Sequence, residues 1–213
     1  RTLEQDLESC RKEGVEIVFV PSVEAMYPEG FRTGVRVAQL TDGMCGPFRP
    51  GHFDGVATVV AKLFNAAPAD QAFFGEKDYQ QLQVIRRMAS DLDFPIEIVG
   101  CPTVREDDGL AMSSRNVYLS DAERKQAASL SQALFAARRS AADGETDPAE
   151  LRRQAVEAIK QAGVLQIEYV DVVDAGSLHP LDLVDRPARM CLAVRIGSTR
   201  LIDNVAIGPS QEP

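Results

Sequence analysis

The sequence lacks a long hydrophobic run and the cysteine spacing of a metal site. No stretch of about 18 or more apolar residues occurs, so we predict no membrane-spanning helix. The first residues, Arg-Thr-Leu-Glu-Gln-Asp-Leu, are charged and amphipathic, unlike a signal peptide. No two of the cysteines, Cys10, Cys45, Cys101 and Cys191, lie within about 30 residues of each other, which excludes Cys-x-x-Cys zinc spacing. We expect four unpaired structural thiols in a cytoplasmic protein.

Positive charge is also scarce. The chain has 23 Lys and Arg against 32 Asp and Glu, which gives a formal net charge of −9. This balance argues against non-specific nucleic-acid binding, since such binding needs Lys and Arg to neutralise phosphates. It is compatible with a small anionic ligand, because a pocket can be locally positive in an acidic protein. P-loop, GxGxxG, GxSxG and HExxH motifs are all missing.

The remaining composition is that of a soluble globular protein. Apolar residues make up 45% and charged residues 26% of the 213 positions. A chain of this length forms one large domain or two small ones.

Strand and helix patterns alternate in the first hundred residues. Thr2 and Gln5 form a capping box at the start of the first helix, and Gly14 ends it. The later patterns follow the same logic of apolar periodicity and turn residues. We predict helices over 2–13, 53–65 and 77–91, buried strands over 15–20 and 71–74, a further strand over 95–100, and a short strand near 35–38. This order predicts a parallel sheet covered by helices.

The pattern changes after Cys101. Residues 102–116 read as a long loop, and Ser120 with Glu123 forms a capping box that opens a helix to about 142. Asp147, Pro148 and Gly163 frame the next helix. Residues 166–172, 190–196 and 201–207 alternate as antiparallel strands with one solvated face do. We therefore predict two domains, 1–103 and a C-terminal α+β domain over 104–213.

The sharpest chemical motif joins a predicted strand to a predicted helix in Phe-Gly-Glu-Lys-Asp-Tyr-Gln-Gln. Gly75 precedes the helix, whose first backbone N–H groups form a natural phosphate site. Lys77 would lie in the first helical turn and supply a positive charge, and Gln81 would lie on the same side of the helix. The alternative is a surface turn with a solvated Glu-Lys-Asp cluster.

A second motif follows the next strand, in Val-Arg-Glu-Asp-Asp-Gly-Leu-Ala-Met-Ser-Ser-Arg-Asn. Ser113, Ser114 and Arg115 offer two hydroxyls and a guanidinium, a set that suits phosphate oxygens. Gly109 would let this loop bend as a lid over a ligand. The alternative is an interdomain linker with ordinary polar residues. The adjacent carboxylates Asp107 and Asp108 diverge on an extended loop, so we predict neither a metal site nor an acid/base pair there.

A third motif, Arg-Pro-Gly-His-Phe, contains one of the two histidines. A histidine just before a helix is more often a cap or a packing residue than a catalyst, and we interpret His52 in this way. Arg49 is a candidate to close over an anionic ligand.

Together these motifs, with Arg-Leu-Ile-Asp-Asn at 200–204, resemble the pantothenate synthetase family in one register from residue 1 to 207. The resemblance implies an α/β fold: a Rossmann-like nucleotidyltransferase parallel sheet, here without its N-terminal part, followed by a smaller α+β C-terminal domain. It also implies that pantoyl adenylate forms from ATP and pantoate, and that β-alanine then attacks it to give pantothenate and AMP. Mg²⁺ accompanies the ATP, and the family's members are cytoplasmic homodimers.

The resemblance assigns roles to individual residues. It implies that Gln81 binds pantoate. The sequence does not identify the Mg²⁺ ligands, for which Asp6 and Asp78 are the candidates. The resemblance implies that the catalytic residues are Lys77, Ser113, Ser114 and Arg115. These four also bind ATP, together with Gly75, Glu76, Asp78, Val104 and Met112.

One family feature does not occur in the printed sequence. The N-terminal Pro-Thr-Met-Gly…His…Gly-His signature, whose histidines bind the triphosphate, is missing, and so is a second Gln that contacts pantoate and β-alanine. We therefore expect apolar surface to be exposed where the family's first strands pack. Three readings stay open: an acid–amine ligase, a catalytically inactive fragment or scaffold that keeps half of the ATP site, and a nucleotidyltransferase for another carboxylic acid.

Overall fold

The structure, a computed structural model, describes residues 3–209, and the chain divides into two compact units, Arg1–Thr33 and Gly34–Pro213. The first unit contains helices α1 (Leu3–Lys12) and α2 (Val23–Met26). The predicted first helix is confirmed, although its proposed cap Thr2 lies outside the described residues. Gly14 follows the helix with a φ of 75°, and the N–H of Val15 donates to the carbonyl of Cys10 at 2.9 Å. This left-handed ending is the one that glycine favours.

Two predicted strands are wrong. Residues 15–20 form no strand, and Ile17 and Phe19 are 84% and 53% exposed. A strand needs a neighbour that completes its backbone hydrogen bonds, and the described part of the first unit supplies none. Residues 35–38 also form no strand. In the second unit the N–H of Val35 donates instead to the hydroxyl of Thr58, at 2.9 Å.

The second unit begins with helices and a parallel strand pair. Its elements up to residue 101 are α3 (Cys45–Phe48), α4 (His52–Ala66), β1 (Gln71–Gly75), α5 (Tyr79–Asp91) and β2 (Glu97–Cys101). β1 and β2 pair in parallel, with Gln71 opposite Glu97 and Gly75 opposite Cys101. The predicted helices, the two strands and their parallel direction are confirmed. β1 was predicted to be a buried strand, but its residue Phe73 is 64% exposed.

Helix α5 is buried along one face but starts later than predicted. Its side chains Leu82, Ile85 and Met88 are at most 1% exposed and pack with Phe53 and Ala57 of α4. The predicted start at 77 is wrong, because residues 76–78 form a separate 3₁₀ turn. Asp78, with φ −92° and ψ 56°, leaves the helical region and separates the turn from the helix.

The remaining elements form a second core. They are α6 (Asp121–Ala142), α7 (Pro148–Gln161) and the antiparallel strands β3 (Gln166–Asp174), β4 (Ala188–Ile196) and β5 (Thr199–Ile207). Both predicted helix starts are confirmed: Ser120 and Glu123 complete their capping box, and Asp147 accepts the N–H of Ala149 at 2.8 Å.

The prediction of one solvated sheet face is wrong for the central strand. Met190 and Leu192 of β4 pack into the core with α6 and α7. Cys191, on the opposite face, joins the core that contains α4 and α5. Because successive strand residues point to opposite faces, β4 is covered on both sides. This packing brings the three-stranded sheet against the residues that follow β1.

Within residues 3–209, no helix is long and apolar enough to cross a membrane. All four cysteines are free thiols, and Cys45 and Cys191 are buried.

Candidate active site

The two loops that follow β1 and β2 meet at the carboxyl edge of the parallel pair. The turn at residues 76–78 follows β1, and the loop at 102–113 follows β2 and leads into a 3₁₀ turn, Ser114–Tyr118. The ammonium nitrogen of Lys77 donates to the carbonyl of Met112 at 2.7 Å and lies 3.5 Å from that of Ala111. The two sequence motifs, one after each strand of the parallel pair, are therefore in direct contact.

A cavity of about 240 Å³ opens beside this contact. Its walls come from the segment before α4, from the 76–81 region, from Arg115 and from the three-stranded sheet. Four predicted site residues line it: Lys77, Asp78, Gln81 and Arg115. The remaining lining residues are Met44, Cys45, Arg49, His52, Phe53, Tyr79, Gln80, Tyr169, Cys191, Leu192, Arg200, Ile202, Asp203 and Asn204.

Positive charge dominates the lining, although the whole chain is acidic. Arg49, Lys77, Arg115 and Arg200 are cationic, while the acidic lining residues are Asp78 and Asp203. The carboxylate of Asp203 is already paired with Arg105 at 2.7 Å, outside the lining set. Within the described part of the chain Arg49 and Arg115 have no ion-pair partner. The cavity is therefore suited to an anionic ligand.

Lys77 is partly buried in the cavity wall. Burial lowers the pKa of the ammonium group, and the neighbouring carboxylates of Asp78 and Asp203 act in the opposite direction. The amine is held by backbone carbonyl oxygens rather than by a carboxylate. A phosphate oxygen in the cavity could therefore become the counter-charge that this lysine lacks.

The loop after β2 is a compact turn rather than an extended linker. Arg105 and Ala111 form a bridge across it, and the N–H of Glu106 donates to the carbonyl of Leu110 at 2.9 Å. Gly109 has a φ of 85°, and a Cβ there would lie 2.9 Å from the hydroxyl of Ser131. Glycine is thus needed for the fixed turn, and the loop's bending as a lid stays a prediction.

The other predicted residues of this loop do not line the cavity. The N–H of Met112 donates to the carbonyl of Val104 at 2.9 Å, and the side chains of both are more than half exposed. Ser113 caps the following 3₁₀ turn, since its hydroxyl accepts the N–H of Arg115 at 3.2 Å. Ser114 is exposed in that turn. Gly75 and Glu76 also lie outside the lining, and Glu76 pairs with Arg189 at 3.0 Å.

His52 and Arg49 lie in the cavity wall as a pair. His52 is the first residue of α4, and its Nε2 lies 2.9 Å from Nη1 of Arg49. Burial, followed by the charges of Arg49 and Arg200, lowers the pKa of the histidine. Because an arginine only donates, the neutral ring accepts at Nε2. The histidine thus fixes Arg49 at the rim, a contact that the cap or packing interpretation did not include.

The sheet wall was missed as part of the site. Arg200 is held by Glu168 at 2.8 Å and reaches the sulfur of Cys45 at 3.6 Å. Asp203 and Asn204 follow on the same strand. The motif Arg-Leu-Ile-Asp-Asn contributed to the resemblance, but its alternating pattern also fits an ordinary strand. Polar residues at buried strand positions were the available signal, because a buried polar group needs a partner.

No metal cluster lies in the part of the chain that the structure describes: no three His, Cys, Asp or Glu side chains are grouped to hold an ion. Asp78 lies beside Lys77 in the lining, and Asp6 lies in α1 of the first unit.

Comparison with known proteins identifies a family over almost the whole chain. A family model described as pantoate-beta-alanine ligase matches residues 1–206. A pantothenate synthetase of Sulfurihydrogenibium sp. (strain YO3AOP1) is 55% identical over 206 residues, covering 96% of this chain and 74% of the relative. One of Acetivibrio thermocellus is 49% identical over 207 residues, covering 97% and 74%.

Solved structures agree. The crystal structure of a pantothenate synthetase from Thermus thermophilus has a TM-score of 0.93 and 50% identity over 98% of this chain and 76% of its own. A pantoate-beta-alanine ligase from Francisella tularensis, complexed with beta-gamma ATP and beta-alanine, has a TM-score of 0.75 and 30% identity over 96% and 70%. These similarities confirm the predicted fold class, an α/β nucleotidyltransferase-like part followed by a C-terminal part.

Proposed function

Because the chain belongs to the pantoate–β-alanine ligase, or pantothenate synthetase, family, we propose that it condenses pantoate with β-alanine at the expense of ATP. A carboxylate oxygen of pantoate attacks the α-phosphorus of ATP, the bond to the β-phosphate oxygen breaks, and pyrophosphate leaves. The amine of β-alanine then attacks the acyl carbon of pantoyl adenylate. AMP leaves, the nitrogen loses a proton, and pantothenate is formed.

The observation that carries the proposal is the junction of the two loops at a cationic cavity. Lys77 bridges from the turn after β1 to Met112 in the loop after β2, and Arg115 lines the same cavity. Adenylation mainly needs cationic and hydroxyl donors directed at phosphate oxygens, and it needs no covalent nucleophile on the protein.

The individual roles are proposals of the same kind. Gln81, in the first turn of α5, would hydrogen-bond pantoate in the cavity. The catalytic set would stabilise the phosphates as the charge shifts to the leaving pyrophosphate, and it consists of Lys77, Ser113, Ser114 and Arg115. The ATP-binding set adds Gly75, Glu76, Asp78, Val104 and Met112. Substrate binding would have to draw Ser113 and Ser114 toward the cavity that Arg115 already lines.

Mg²⁺ would enter with ATP as part of the substrate. Asp78 is the acidic lining residue that forms no ion pair within the described residues, so it is the candidate to contact the ion. A homodimer, a cytoplasmic location and the domain division at 103/104 are proposed from the family resemblance.

The first test is pantoate-dependent exchange of labelled pyrophosphate into ATP with Mg²⁺. We expect exchange that requires pantoate and falls by about 100-fold or more in Lys77→Ala. Lys125→Ala, which removes an exposed lysine of α6, should leave it unchanged. The assay is run on the 213-residue chain and on the same chain preceded by a relative's N-terminal signature segment.

The outcomes separate the three readings. Exchange in either form with pantoate supports the ligase. Exchange with another carboxylic acid but not with pantoate would replace the substrate. No exchange in either form would contradict the proposal and favour an inactive scaffold.

A further inference from the structure

Asn204 connects the three-stranded sheet to the turn that carries Lys77. It lies on β5 and is 4% exposed. Its side-chain nitrogen donates to the carbonyl oxygens of Glu76 at 2.8 Å and Lys77 at 2.9 Å. Both donors of the amide are therefore used on two successive carbonyls of one short turn.

Arg189 fixes the orientation of this amide. Its Nη1 donates to the side-chain oxygen of Asn204 at 2.9 Å, and its Nη2 pairs with the carboxylate of Glu76 at 3.0 Å. A guanidinium offers donors only, so the amide oxygen must face Arg189 and the nitrogen must face the two carbonyls. The guanidinium also lies 4.1 Å from the ring centre of Tyr79, the first residue of α5.

The neighbouring residue on β5 holds the second loop. The carboxylate of Asp203 accepts two hydrogen bonds from Arg105, at 2.7 and 3.0 Å, and Arg105 also donates to the carbonyl of Gly109 at 3.1 Å. The same carboxylate accepts the backbone N–H of Asn204 at 2.7 Å. Adjacent residues of one strand thus fix the two loops that meet at the cavity.

We propose that Asn204 is a positioning residue for the adenylation step, which makes this inference dependent on the proposed function. The amide holds the main chain of Glu76 and Lys77, so that the side chain of Lys77 extends toward the second loop. The residue acts through Lys77, because both of its donors are taken by the turn. A group held in this way loses little freedom when the phosphates bind.

Kinetics can separate positioning from general structural support. Asn204→Ala removes all three side-chain hydrogen bonds, and Asn204→Asp keeps the shape but turns carboxylate oxygens toward two carbonyl oxygens. We expect either change to lower kcat for pantoate-dependent exchange by about tenfold or more. We expect the KM for pantoate to change by less than about twofold, because Gln81 is on α5 rather than in the turn.

A double-mutant cycle with Lys77→Ala tests the route of the effect. If Asn204 acts through Lys77, Asn204→Ala should slow exchange by less than about twofold when Lys77 is already alanine. An equal loss of kcat on Asn204→Ala in the wild type and in Lys77→Ala would overturn the proposal. An unchanged kcat in Asn204→Ala alone would overturn it too.

Hydrogen exchange tests the contact without relying on activity. In Asn204→Ala, amides of a peptide covering residues 74–81 should exchange about tenfold faster, since the turn loses two hydrogen bonds. Asn65→Ala is the matched control, because Asn65 also donates its side-chain amide to a carbonyl, that of Ala61 at 3.0 Å, away from the cavity. Unchanged exchange over 74–81 would overturn the inference even if the ligase were active. Faster hydrogen exchange over 74–81 in a chain that shows no pyrophosphate exchange into ATP would instead count against the proposed function.

Discussion

The ammonium group of Lys77 donates to the carbonyl oxygen of Met112 at 2.7 Å and so joins two loops that lie 35 positions apart in sequence. Its partners are neutral carbonyl oxygens, and no carboxylate lies within ion-pair distance of the amine among the described residues. The lysine is thus partly desolvated without full compensation of its charge. A ligand with phosphate oxygens would supply that compensation.

This arrangement predicts a pH dependence for ATP binding. Burial favours the neutral amine and lowers the pKa of Lys77. As the pH rises, the ammonium is therefore deprotonated before the pH reaches the ordinary lysine pKa of about 10.4. The affinity for ATP should fall over the same pH range. Lys77→Arg keeps its charge throughout, so its affinity should stay flat where the wild type weakens. Calorimetric titration with ATP from about pH 7 to pH 10 measures the affinity of the wild type and of Lys77→Arg. Parallel curves for the two proteins would contradict the prediction.

Local signals explain why much of the second unit could be predicted. Ser120 with Glu123 and Asp147 with Pro148 mark helix starts whose partners lie within a few residues. Hydrogen bonds between residues only a few positions apart can be predicted from the residue types at those positions. The parallel direction of β1 and β2 followed from the helix between them, since parallel neighbours need a crossover connection.

Non-local contacts explain what could not be predicted. The apolar run at 15–20 looks like a strand, but strand formation depends on a partner that periodicity does not reveal. The contacts of Asn204 with Glu76 and of Asp203 with Arg105 span 128 and 98 positions. One sequence shows that these residues are polar within an apolar strand, but it does not show which groups they meet. The sheet wall of the site was missed for this reason.

The pair between Arg105 and Asp203 should dominate the stability of the second loop. The side chain of Asp203 is 1% exposed and that of Arg105 is 19% exposed. Asp203→Asn keeps an oxygen acceptor for the N–H of Asn204 but leaves the guanidinium without its charge partner. We expect a loss of about 3 kcal/mol in the free energy of unfolding. Urea denaturation of Asp203→Asn, Arg105→Met and the double variant measures it. The double variant should lose less than the sum of the single losses, and additive losses would show that the residues do not act as a pair.

Gln80 should stabilise the wall of the cavity that faces the sheet. It is 7% exposed, accepts the N–H of Cys45 at 3.0 Å, and donates to the carbonyls of Leu40 and Gly43 at 2.9 and 3.0 Å. Gln80→Leu leaves three buried backbone groups without partners, so we expect it to cost about 2–3 kcal/mol of unfolding free energy.

The matched control for this change is Gln126→Leu. Gln126 makes one long, exposed hydrogen bond of 3.4 Å to the carbonyl of Gly163. Its replacement should change the urea midpoint little. Equal midpoints for the two leucine variants would show that the Gln80 contacts contribute no net stability.

Arg124 of α6 should stabilise the second loop to an extent that depends on pH. Its Nε donates to Asp108 at 2.7 Å and its Nη2 to Glu106 at 2.5 Å, and these bonds are the main reason that the pKa values of both carboxyls are lowered. A carboxyl with a lowered pKa in the folded state stabilises the fold above its unfolded pKa, which is about 3.9 for Asp and 4.3 for Glu. That contribution disappears as the pH falls through the lowered folded pKa.

Arg124→Met should therefore be less stable than the wild type near neutral pH, and the difference should close as the pH falls below about 4. Urea midpoints measured in steps from about pH 7 to pH 3 give this difference directly. Arg139→Met, which removes an arginine of α6 that takes part in none of the ion pairs among the described residues, should show no such pH trend. A gap between Arg124→Met and the wild type that stays constant down to about pH 3 would mean that Arg124 acts through packing of its side chain rather than through the two carboxylates.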